Sequence, residues 1–305
     1  MYLVLYTDLN GDGKVDLAVA QTGPQPQVEY AIGKGDGTFT VAGKVNTSLT
    51  VGTLALVDVN HDRKADLIIP DGSFLNTFLS NGDGTFGSAI PLVHSFQPID
   101  SNCALAVGDV NGDGEVDILL TTPRDARTGV FLGRGNGMFV ELAAVSNGSI
   151  LEQPVLADLN GDKKLDLALV DRSHSQVVVF QGDGKGGFSQ VSVNPGTKYP
   201  DSIGVADMNG DGTLDLVTIE ANGLGETFQI LAGYGDGQFL RGAKYTIGAT
   251  ALATSLFVGD LNGDNLPFVA ECLSDFPFSG GNEQGSLMHR AVRFRTRQVS
   301  DTSRR

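Results

Sequence analysis

The sequence is poor in the residues that mark disulfide-rich, membrane-spanning or helical proteins. Its two cysteines, Cys103 and Cys272, are too few for a disulfide framework, and we interpret them as small buried hydrophobic residues. No apolar run is long enough to span a bilayer, and no stretch keeps a helical hydrophobic period. Tryptophan is absent and only four histidines occur. These absences direct attention to short strands and to the glycine and aspartate that the chain has in abundance.

A nine-residue motif dominates the sequence. It begins at Asp8 and recurs five more times at intervals of about 50 residues, which is the signature of a repeat architecture. Five copies are complete and place Asp, Asn, Asp and Asp at motif positions 1, 3, 5 and 9. These side chains are Asp8, Asn10, Asp12 and Asp16; Asp58, Asn60, Asp62 and Asp66; Asp109, Asn111, Asp113 and Asp117; Asp158, Asn160, Asp162 and Asp166; Asp207, Asn209, Asp211 and Asp215. The sixth copy keeps Asp260, Asn262 and Asp264 but has Phe268 at position 9.

Alternate positions of a tightly curled loop direct their oxygens inward. Three carboxylates, one amide carbonyl and a backbone carbonyl at position 7 make the hard oxygen cage that Ca²⁺ prefers, whereas Mg²⁺ favours fewer protein ligands. The motif therefore predicts about five Ca²⁺ sites and a weak sixth. The alternative is a set of Asp/Asn/Gly turns that bind nothing, because these residues also favour turns for local reasons.

The net charge of −15 originates in these loops. Seventeen of the 36 acidic residues lie at loop positions 1, 5 and 9, so the other 19 nearly balance the 21 lysines and arginines. Without cations the clustered carboxylates would repel one another, and we predict that metal removal destabilises the fold. The acidity belongs to the loops and the rest of the chain is nearly neutral; we expect no nucleic-acid partner, and the arginines near the C-terminus fit a degenerate end better than a basic patch.

Each repeat reads as four short strands. The motif joins the first two, since position 12 is a strand residue (Val19, Ile69, Leu120, Leu169 and Thr218) rather than the Glu of an EF-hand. A Gly-rich turn closed by Phe joins the last two strands, and we expect the Phe to pack on the neighbouring unit. Its copies are Gly33 to Phe39, Ser80 to Phe86, Gly133 to Phe139, Gln181 to Phe188 and Gly233 to Phe239. A phosphate-binding loop is disfavoured because no helix follows the glycines. The fourth strand, for example 86–93 with Gly87 and Pro91, belongs at a sheet edge.

Four-stranded antiparallel units repeated in this way predict an all-β fold, a β-propeller of about six blades. The propeller is expected over 1–274, with repeats starting near 1, 51, 102, 152, 201 and 253. Residues 275–305 read as a degenerate, Arg-rich tail with one strand at Ala291 to Arg295.

Together the two motifs resemble FG-GAP/VCBS repeats, the blades of the integrin α-subunit propeller and of many bacterial secreted proteins. The resemblance covers roughly 1–271 and implies Ca²⁺ bound by the side chains above. It adds main-chain carbonyls from Lys14, Lys64, Glu115, Lys164 and Thr213. Arg63 and Lys163 replace the usual glycine at position 6, so their loops are expected to be strained or weaker. Because the family propellers usually have seven blades, an incomplete seven-bladed ring is the alternative to six.

The function implied is a calcium-stabilised, non-enzymatic propeller that presents loops to a protein or glycan partner, as in cell adhesion. We expect a monomer with no membrane span, secreted or on the cell surface. Met1 to Thr7 is not a signal peptide, and the early first loop predicts a leader upstream. The alternatives are a polysaccharide lyase or hydrolase, or a lectin with one sugar site per blade. His61, His94, His174 and His289 are spread over four repeats and predict no catalytic site; His61 and His174 are expected to face solvent.

Overall fold

The protein is built from short antiparallel strands. A computed structural model describes residues 2–21, 25–48, 51–95, 102–123, 126–146, 148–195, 200–221, 226–248, 252–259, 268–274 and 289–293, and no α-helix lies in these ranges. The first three sheets contain β1 Tyr2–Thr7, β2 Asp16–Gln21, β3 Gln27–Gly33 and β4 Phe39–Asn46; β5 Ala55–Val57, β6 Asp66–Asp71, β7 Phe74–Phe78 and β8 Ile90–Val93; β9 Ala104–Gly108, β10 Asp117–Thr122, β11 Arg127–Gly133 and β12 Phe139–Glu141. The last three contain β13 Glu152–Ala157, β14 Asp166–Asp171, β15 Gln176–Gly182 and β16 Phe188–Pro195; β17 Pro200–Ala206, β18 Asp215–Ala221, β19 Glu226–Gly233 and β20 Phe239–Gly248; β21 Leu252–Gly259, β22 Phe268–Ser274 and β23 His289–Arg293.

Each sheet is a meander whose strands lie side by side in chain order. Five sheets have four strands, and the sixth has three among the described residues. The fourth strand of every four-stranded sheet lies at an edge, as predicted from its glycine and proline content. Four-stranded antiparallel meanders in tandem are propeller blades, so the predicted fold class is confirmed.

The two motifs occupy the hairpin ends that the sequence indicated. Position 9 of the loop opens the second strand, where Asp16 pairs with Thr7 and Asp117 pairs with Gly108. The Gly-rich turn closes the third hairpin, with Gly33 paired to Phe39. Gly35 and Gly37 have φ of +80° and +85°, a conformation that side-chain-bearing L-residues rarely adopt. Glycine at these two positions therefore permits the tight turn.

The cores lie on the second and third strands. β6, β10 and β14 are buried on both faces along almost their whole length, which explains their continuous apolar runs. In contrast, β2 alternates buried and half-buried residues. Cys103 is buried in a cluster with Ile118, Phe131 and Phe139, which confirms its interpretation as a small core residue. The side chain of Cys272 lies outside the described part of the structure.

The chain divides into two compact units. The first comprises Met1–Leu156 with Gln181–Ser189, and its sheets share two hydrophobic clusters, one around Leu67 and Ile69 and one around Ile118. The second comprises Ala157–Phe180 with Gln190–Arg305. Its described core includes Met208, Val217 and Phe228.

The hairpin phenylalanines pack on a neighbouring blade in part of the chain. Phe86 meets Tyr30 of the preceding sheet edge-to-face, with ring centroids 5.0 Å apart, and Phe139 is buried in the cluster around Ile118. Phe39 remains 41% exposed, so the packing prediction is wrong there. Phe86, in contrast, packs on the blade before its own.

Two strands differ from their predicted bounds. In the second repeat the edge strand is Ile90–Val93 rather than 86–93, because Phe86 forms only an isolated bridge with Ser80 and residues 87–89 lie outside any strand. The last strand is His289–Arg293, paired with β22, rather than Ala291 to Arg295. The rest of the predicted tail, and Asp260, Asn262 and Asp264 of the sixth loop, lie outside the described residues.

Candidate functional site

The five complete loops share a backbone that turns through left-handed conformations at positions 4 and 6. In the first loop these are Gly11 and Gly13, with φ of +77° and +79°. Arg63 and Lys163 adopt the same conformation at +66° and +67°, which costs an L-residue about 1–2 kcal/mol. The expected strain at position 6 is therefore present. His61 adds strain at position 4 of the second loop, with φ of +61°.

The position-1 aspartate is the hub of each loop. Oδ1 of Asp8 accepts the Gly11 N–H at 2.7 Å and the Asp12 N–H at 3.2 Å, and Oδ2 accepts the Gly13 N–H at 2.8 Å. Asp58, Asp109, Asp158 and Asp207 each accept the position-6 N–H in the same way, at 2.7–2.9 Å. One carboxylate thus orders the loop backbone through charge-assisted hydrogen bonds.

Positions 3 and 5 continue the pattern one step along the loop. The Asn10 Oδ1 accepts the Asp12 N–H at 3.0 Å, and the Asp12 Oδ1 accepts the Lys14 N–H at 2.9 Å. The Lys14 ammonium lies 3.0 Å from Asp12 Oδ2, and hydrogen bonds from Lys14 hold the pKa of that carboxyl below its usual range. In the fifth loop the Thr213 hydroxyl lowers the pKa of Asp211 in the same manner. The position-5 side chain faces solvent in all five complete loops.

The position-9 aspartate has a structural role that its assignment as a metal ligand does not include. It is buried, and its two oxygens accept main-chain N–H groups from two different hairpins. Oδ2 of Asp117 accepts the Val110 N–H at 2.9 Å within the loop, and Oδ1 accepts the Gly133 N–H at 2.8 Å, where the Gly-rich turn begins. The same pair of bonds is made by Asp16, Asp66 and Asp215. This carboxylate fastens the loop hairpin to the Gly-rich hairpin of its own blade.

Burial and neighbouring charge act together on this carboxyl. Burial raises the pKa of Asp66, Asp117 and Asp215, main-chain hydrogen bonds offset part of the rise, and the carboxylates at positions 5 and 1 add to it. Position 9 therefore lies within electrostatic reach of the other two aspartates of its loop.

Position 2, which the sequence reading left unassigned, connects a loop to the next blade. The apolar residues there, Leu9, Val59, Val110, Leu159 and Met208, are all buried. In the first unit the Val110 carbonyl accepts the Gly186 N–H at 3.2 Å, and the Val59 carbonyl accepts the Gly137 N–H at 3.4 Å. Both donors belong to the Gly-rich turn of the following repeat. In the sequence, this contact could have been anticipated from the apolar residue that follows each position-1 aspartate.

The donor atoms suit a hard cation, although their side chains are engaged with the loop backbone. Carboxylate, amide and carbonyl oxygens are the ligands that Ca²⁺ takes, and an oxygen that accepts one N–H keeps a second lone pair. In the third and fifth loops the Asn Nδ2 instead donates to the position-5 carboxylate at 2.9 Å. Across the described ranges, no group of three or more His, Cys, Asp or Glu side chains is arranged as metal ligands.

The histidines are dispersed, as predicted, and three have described side chains. His61 is exposed but places Nε2 2.7 Å from Oε2 of Glu115, at position 7 of the next loop. His174 is also exposed and places Nδ1 2.9 Å from Asp171. His94 is buried. Solvent exposure of His61 and His174 is confirmed, with a carboxylate partner for each that the sequence did not indicate.

A second repeated polar position lies five residues after the position-9 aspartate, at the loop-distal end of the second strand. Its members are Gln21, Asp71, Thr122, Asp171 and Glu220. Asp71 accepts the N–H and hydroxyl of Ser48 at 2.8 and 2.6 Å, and Glu220 contacts the Lys244 ammonium and the Thr227 hydroxyl. A polar residue ending each apolar run was the signal that could have found this position.

Solved structures share this fold at low sequence identity. A lectin from Agrocybe aegerita, described as recognising non-reducing terminal N-acetylglucosamine, is 19% identical with a TM-score of 0.63, covering 88% of this chain and 74% of that one. A putative 6-phosphogluconolactonase from Bacteroides uniformis is 15% identical with a TM-score of 0.63, covering 86% and 75%. The periplasmic gluconolactonase of Pseudomonas aeruginosa is 16% identical with a TM-score of 0.56, covering 79% and 69%. These similarities establish the fold alone.

The sequence comparison identifies the repeat itself. No curated protein matches the chain. Among the described residues there is no helix with the length and apolar character needed to cross a membrane. The model of the FG-GAP-like repeat matches residues 8–69, 58–120, 109–169 and 158–218, each span running from position 1 of one loop to position 12 of the next. These spans cover more than half of the 305 residues, and the chain therefore belongs to the family of FG-GAP-like repeat proteins.

Proposed function

We propose that this protein is a calcium-stabilised, non-enzymatic propeller that acts outside the cytoplasm and presents its interstrand loops to a glycan or protein ligand. One observation carries the proposal. The same oxygen-rich loop occurs at the same hairpin in five repeats, with its position-5 carboxylate exposed to solvent. Three carboxylates within one nine-residue loop repel one another without a counter-charge, and a divalent cation supplies one.

The chain's own residues suggest how such loops would hold Ca²⁺. Side-chain oxygens at positions 1, 3, 5 and 9 and the main-chain carbonyl at position 7 are the proposed ligands. The position-1 carboxylate already orders the loop backbone, and the position-9 carboxylate fastens it to the blade. A bound cation would neutralise most of the loop charge and stabilise the native state by mass action.

The metal proposal is tested by thermal unfolding of the whole chain in excess Ca²⁺ and then in chelator. We expect a higher midpoint with Ca²⁺ and a smaller effect of Mg²⁺ at the same concentration. Asp113→Asn is the matched variant, because it alters an exposed position-5 ligand and leaves the buried position 9 intact. A midpoint that does not respond to Ca²⁺ would rule out a structural ion.

A glycan ligand is supported by the structural similarity to a lectin. A sugar site would need an exposed aromatic ring for stacking. The two most exposed aromatic side chains in the described part of the chain are Tyr6, two residues before the first loop, and Tyr234, directly after Gly233. The equivalent positions in the second repeat are Leu56 and Asn81, so the tyrosines do not recur. We therefore favour one or two individual sites over one site per blade.

Ligand binding is tested on a glycan array with Ca²⁺ present, beginning with glycans that end in N-acetylglucosamine. Binding that falls in Tyr6→Ala or Tyr234→Ala, with unchanged thermal stability, would locate the site. Array and matrix-protein binding that is absent for the folded protein would contradict a binding role.

A hydrolase is the second candidate, because two of the similar structures are lactonases by their descriptions. Incubation with a sugar lactone and with acidic polysaccharides separates the two functions. We expect no turnover above the uncatalysed rate. Turnover that is lost on heat denaturation would overturn the non-enzymatic assignment.

A further inference from the structure

Four of the five complete loops carry an Asn–Gly dipeptide at positions 3 and 4. They are Asn10–Gly11, Asn111–Gly112, Asn160–Gly161 and Asn209–Gly210, whereas the second loop has Asn60–His61. Glycine has no Cβ, so its peptide nitrogen is the least hindered of any residue for attack on the preceding side chain. The loops therefore contain four candidate sites for a spontaneous modification.

The reaction balances with water alone. The glycine nitrogen loses its proton and bonds to Cγ of the asparagine, and ammonia leaves with that carbon's former amide nitrogen. Water then opens the resulting five-membered imide at either carbonyl. One product has aspartate at position 3, and the other has isoaspartate, which adds a methylene to the backbone.

The structure places a barrier in front of this reaction. In all four loops the glycine N–H donates to Oδ1 of the position-1 aspartate at 2.7 Å. Removing that proton would leave an anionic nitrogen against a carboxylate, which like-charge repulsion disfavours. The asparagine Oδ1 is also held, since it accepts the position-5 N–H at 2.8–3.0 Å. We propose that Asn10, Asn111, Asn160 and Asn209 are deamidation sites, and that the position-1 aspartate suppresses their conversion while the loop is closed.

Of the five further Asn–Gly pairs in the sequence, the two in the Gly-rich turns provide an internal comparison. In the Gly-rich turns, the Gly82 N–H donates to the Ser80 hydroxyl at 3.2 Å and the Gly137 N–H donates to the Val59 carbonyl at 3.4 Å. These bonds are longer and their acceptors are neutral. Asn81 and Asn136 should therefore convert before the loop asparagines in the folded protein. Asn60 should stay unmodified, because the His61 side chain hinders attack.

Conversion would change the loop in one of two ways. Aspartate at position 3 adds one negative charge to the three already present, and isoaspartate alters the spacing of the oxygens. Either product marks a loop that has opened. The proposal concerns the hydrogen bonds of the cation-free loop, whose charge a bound cation would neutralise, and it is therefore tested in chelator.

The test is peptide mapping by mass spectrometry of the full chain incubated at mildly alkaline pH. We expect Asn81 and Asn136 to gain the acid form at least about tenfold faster than Asn111, the factor that a hydrogen bond to a charged acceptor represents. In denaturant the Asn–Gly sites should react at similar rates. Conversion of Asn111 as fast as Asn136 in the folded protein would overturn the proposal.

The variant Asp109→Ala tests directly whether the position-1 carboxylate suppresses deamidation. It should accelerate Asn111 at least about tenfold while Asn160 keeps its wild-type rate. Asp58→Ala, the same truncation in the loop without Asn–Gly, is the matched control and should leave Asn111 unchanged. Equal acceleration of deamidation at every Asn–Gly site would indicate global unfolding and would refute local suppression by the position-1 carboxylate. If Asp109→Ala does not fold, Asp109→Asn removes the charge and keeps an acceptor, and an unchanged Asn111 rate there would refute the role of the charge.

Discussion

Replacement of the buried Asp117 should destabilise the protein even when no cation is present. In Asp117→Ala the main-chain N–H groups of Val110 and Gly133 lose their acceptor and remain buried. Each unsatisfied buried donor costs about 1–3 kcal/mol, so the two together cost roughly 2–6 kcal/mol. Burial already disfavours the Asp117 charge and raises its pKa, and the variant recovers that cost. We therefore expect a loss of about 2–4 kcal/mol in the free energy of unfolding.

The matched control is Asp113→Ala in the same loop. It removes the same charge from an exposed position, where water replaces the bonds to Glu115 N and Asn111 Nδ2. Its cost in chelator should stay within about 1 kcal/mol, as for most surface substitutions. With Ca²⁺ present, both variants should lose the stabilisation that the cation gives this loop.

The measurement is urea unfolding in chelator, followed by circular dichroism because the chain has no tryptophan. Amide exchange at Val110 and Gly133 adds a local readout and should accelerate in Asp117→Ala alone. Equal destabilisation by the two variants in chelator would refute the structural role of position 9. All three aspartates of the loop would then have the same role, as candidate metal ligands.

Three further predictions concern the loops and the hairpin around Asp171. Arg63→Gly should raise the midpoint of thermal unfolding and stabilise the protein by about 0.5–1 kcal/mol, because glycine adopts the left-handed conformation without strain. Gly114→Ala, at the same position of the next loop, should destabilise it by about 1–2 kcal/mol. A change of stability in the same direction for both variants would contradict this reasoning. Ca²⁺ at one hundred times its dissociation constant should add about 2.7 kcal/mol per site to the stability measured in chelator, and no gain would count against bound calcium. Burial disfavours the Asp171 charge, but hydrogen bonds from Ser173, His174 and Gln176 outweigh it and lower its pKa. The Asp171 charge therefore stabilises the protein above the unfolded-state pKa, and this contribution is lost as the pH falls through the lowered folded-state pKa. The stabilities of wild type and Asp171→Asn should differ at neutral pH and converge in strong acid. A difference in stability that does not change with pH would show that the charge is not responsible.

The local features of each repeat could be predicted from the sequence because their interactions span few residues. The Asp8 carboxylate reaches N–H groups three to five positions ahead, and Gly35 and Gly37 permit their turn by themselves. Such contacts follow from residue type and spacing without knowledge of the fold. The strained Arg63 and Lys163 were identified for the same reason.

The interactions that join hairpins and blades could not be predicted in this way. The position of Asp117 in the motif is also the position expected of a metal ligand, so the sequence does not reveal its structural role. Its hydrogen bond with Gly133 depends on how two hairpins pair in one sheet. Phe39 and Phe86 close the same motif, yet only Phe86 packs on a preceding blade. Similar local sequences can therefore have different surroundings in the folded chain.

The sequence by itself determined the repeat, the strand order within a blade and the conformation of each loop, since all of these depend on neighbours within one hairpin or the next. Only the tertiary structure decided that the buried position-9 carboxylate joins two hairpins, and that the position-2 carbonyl accepts an N–H from the following blade. It also decided that His61 contacts Glu115 of the next loop. The physical reason is that a hydrogen bond depends on the distance between two atoms in space, and partners that come from different hairpins or different repeats are brought within reach only when the sheets pack.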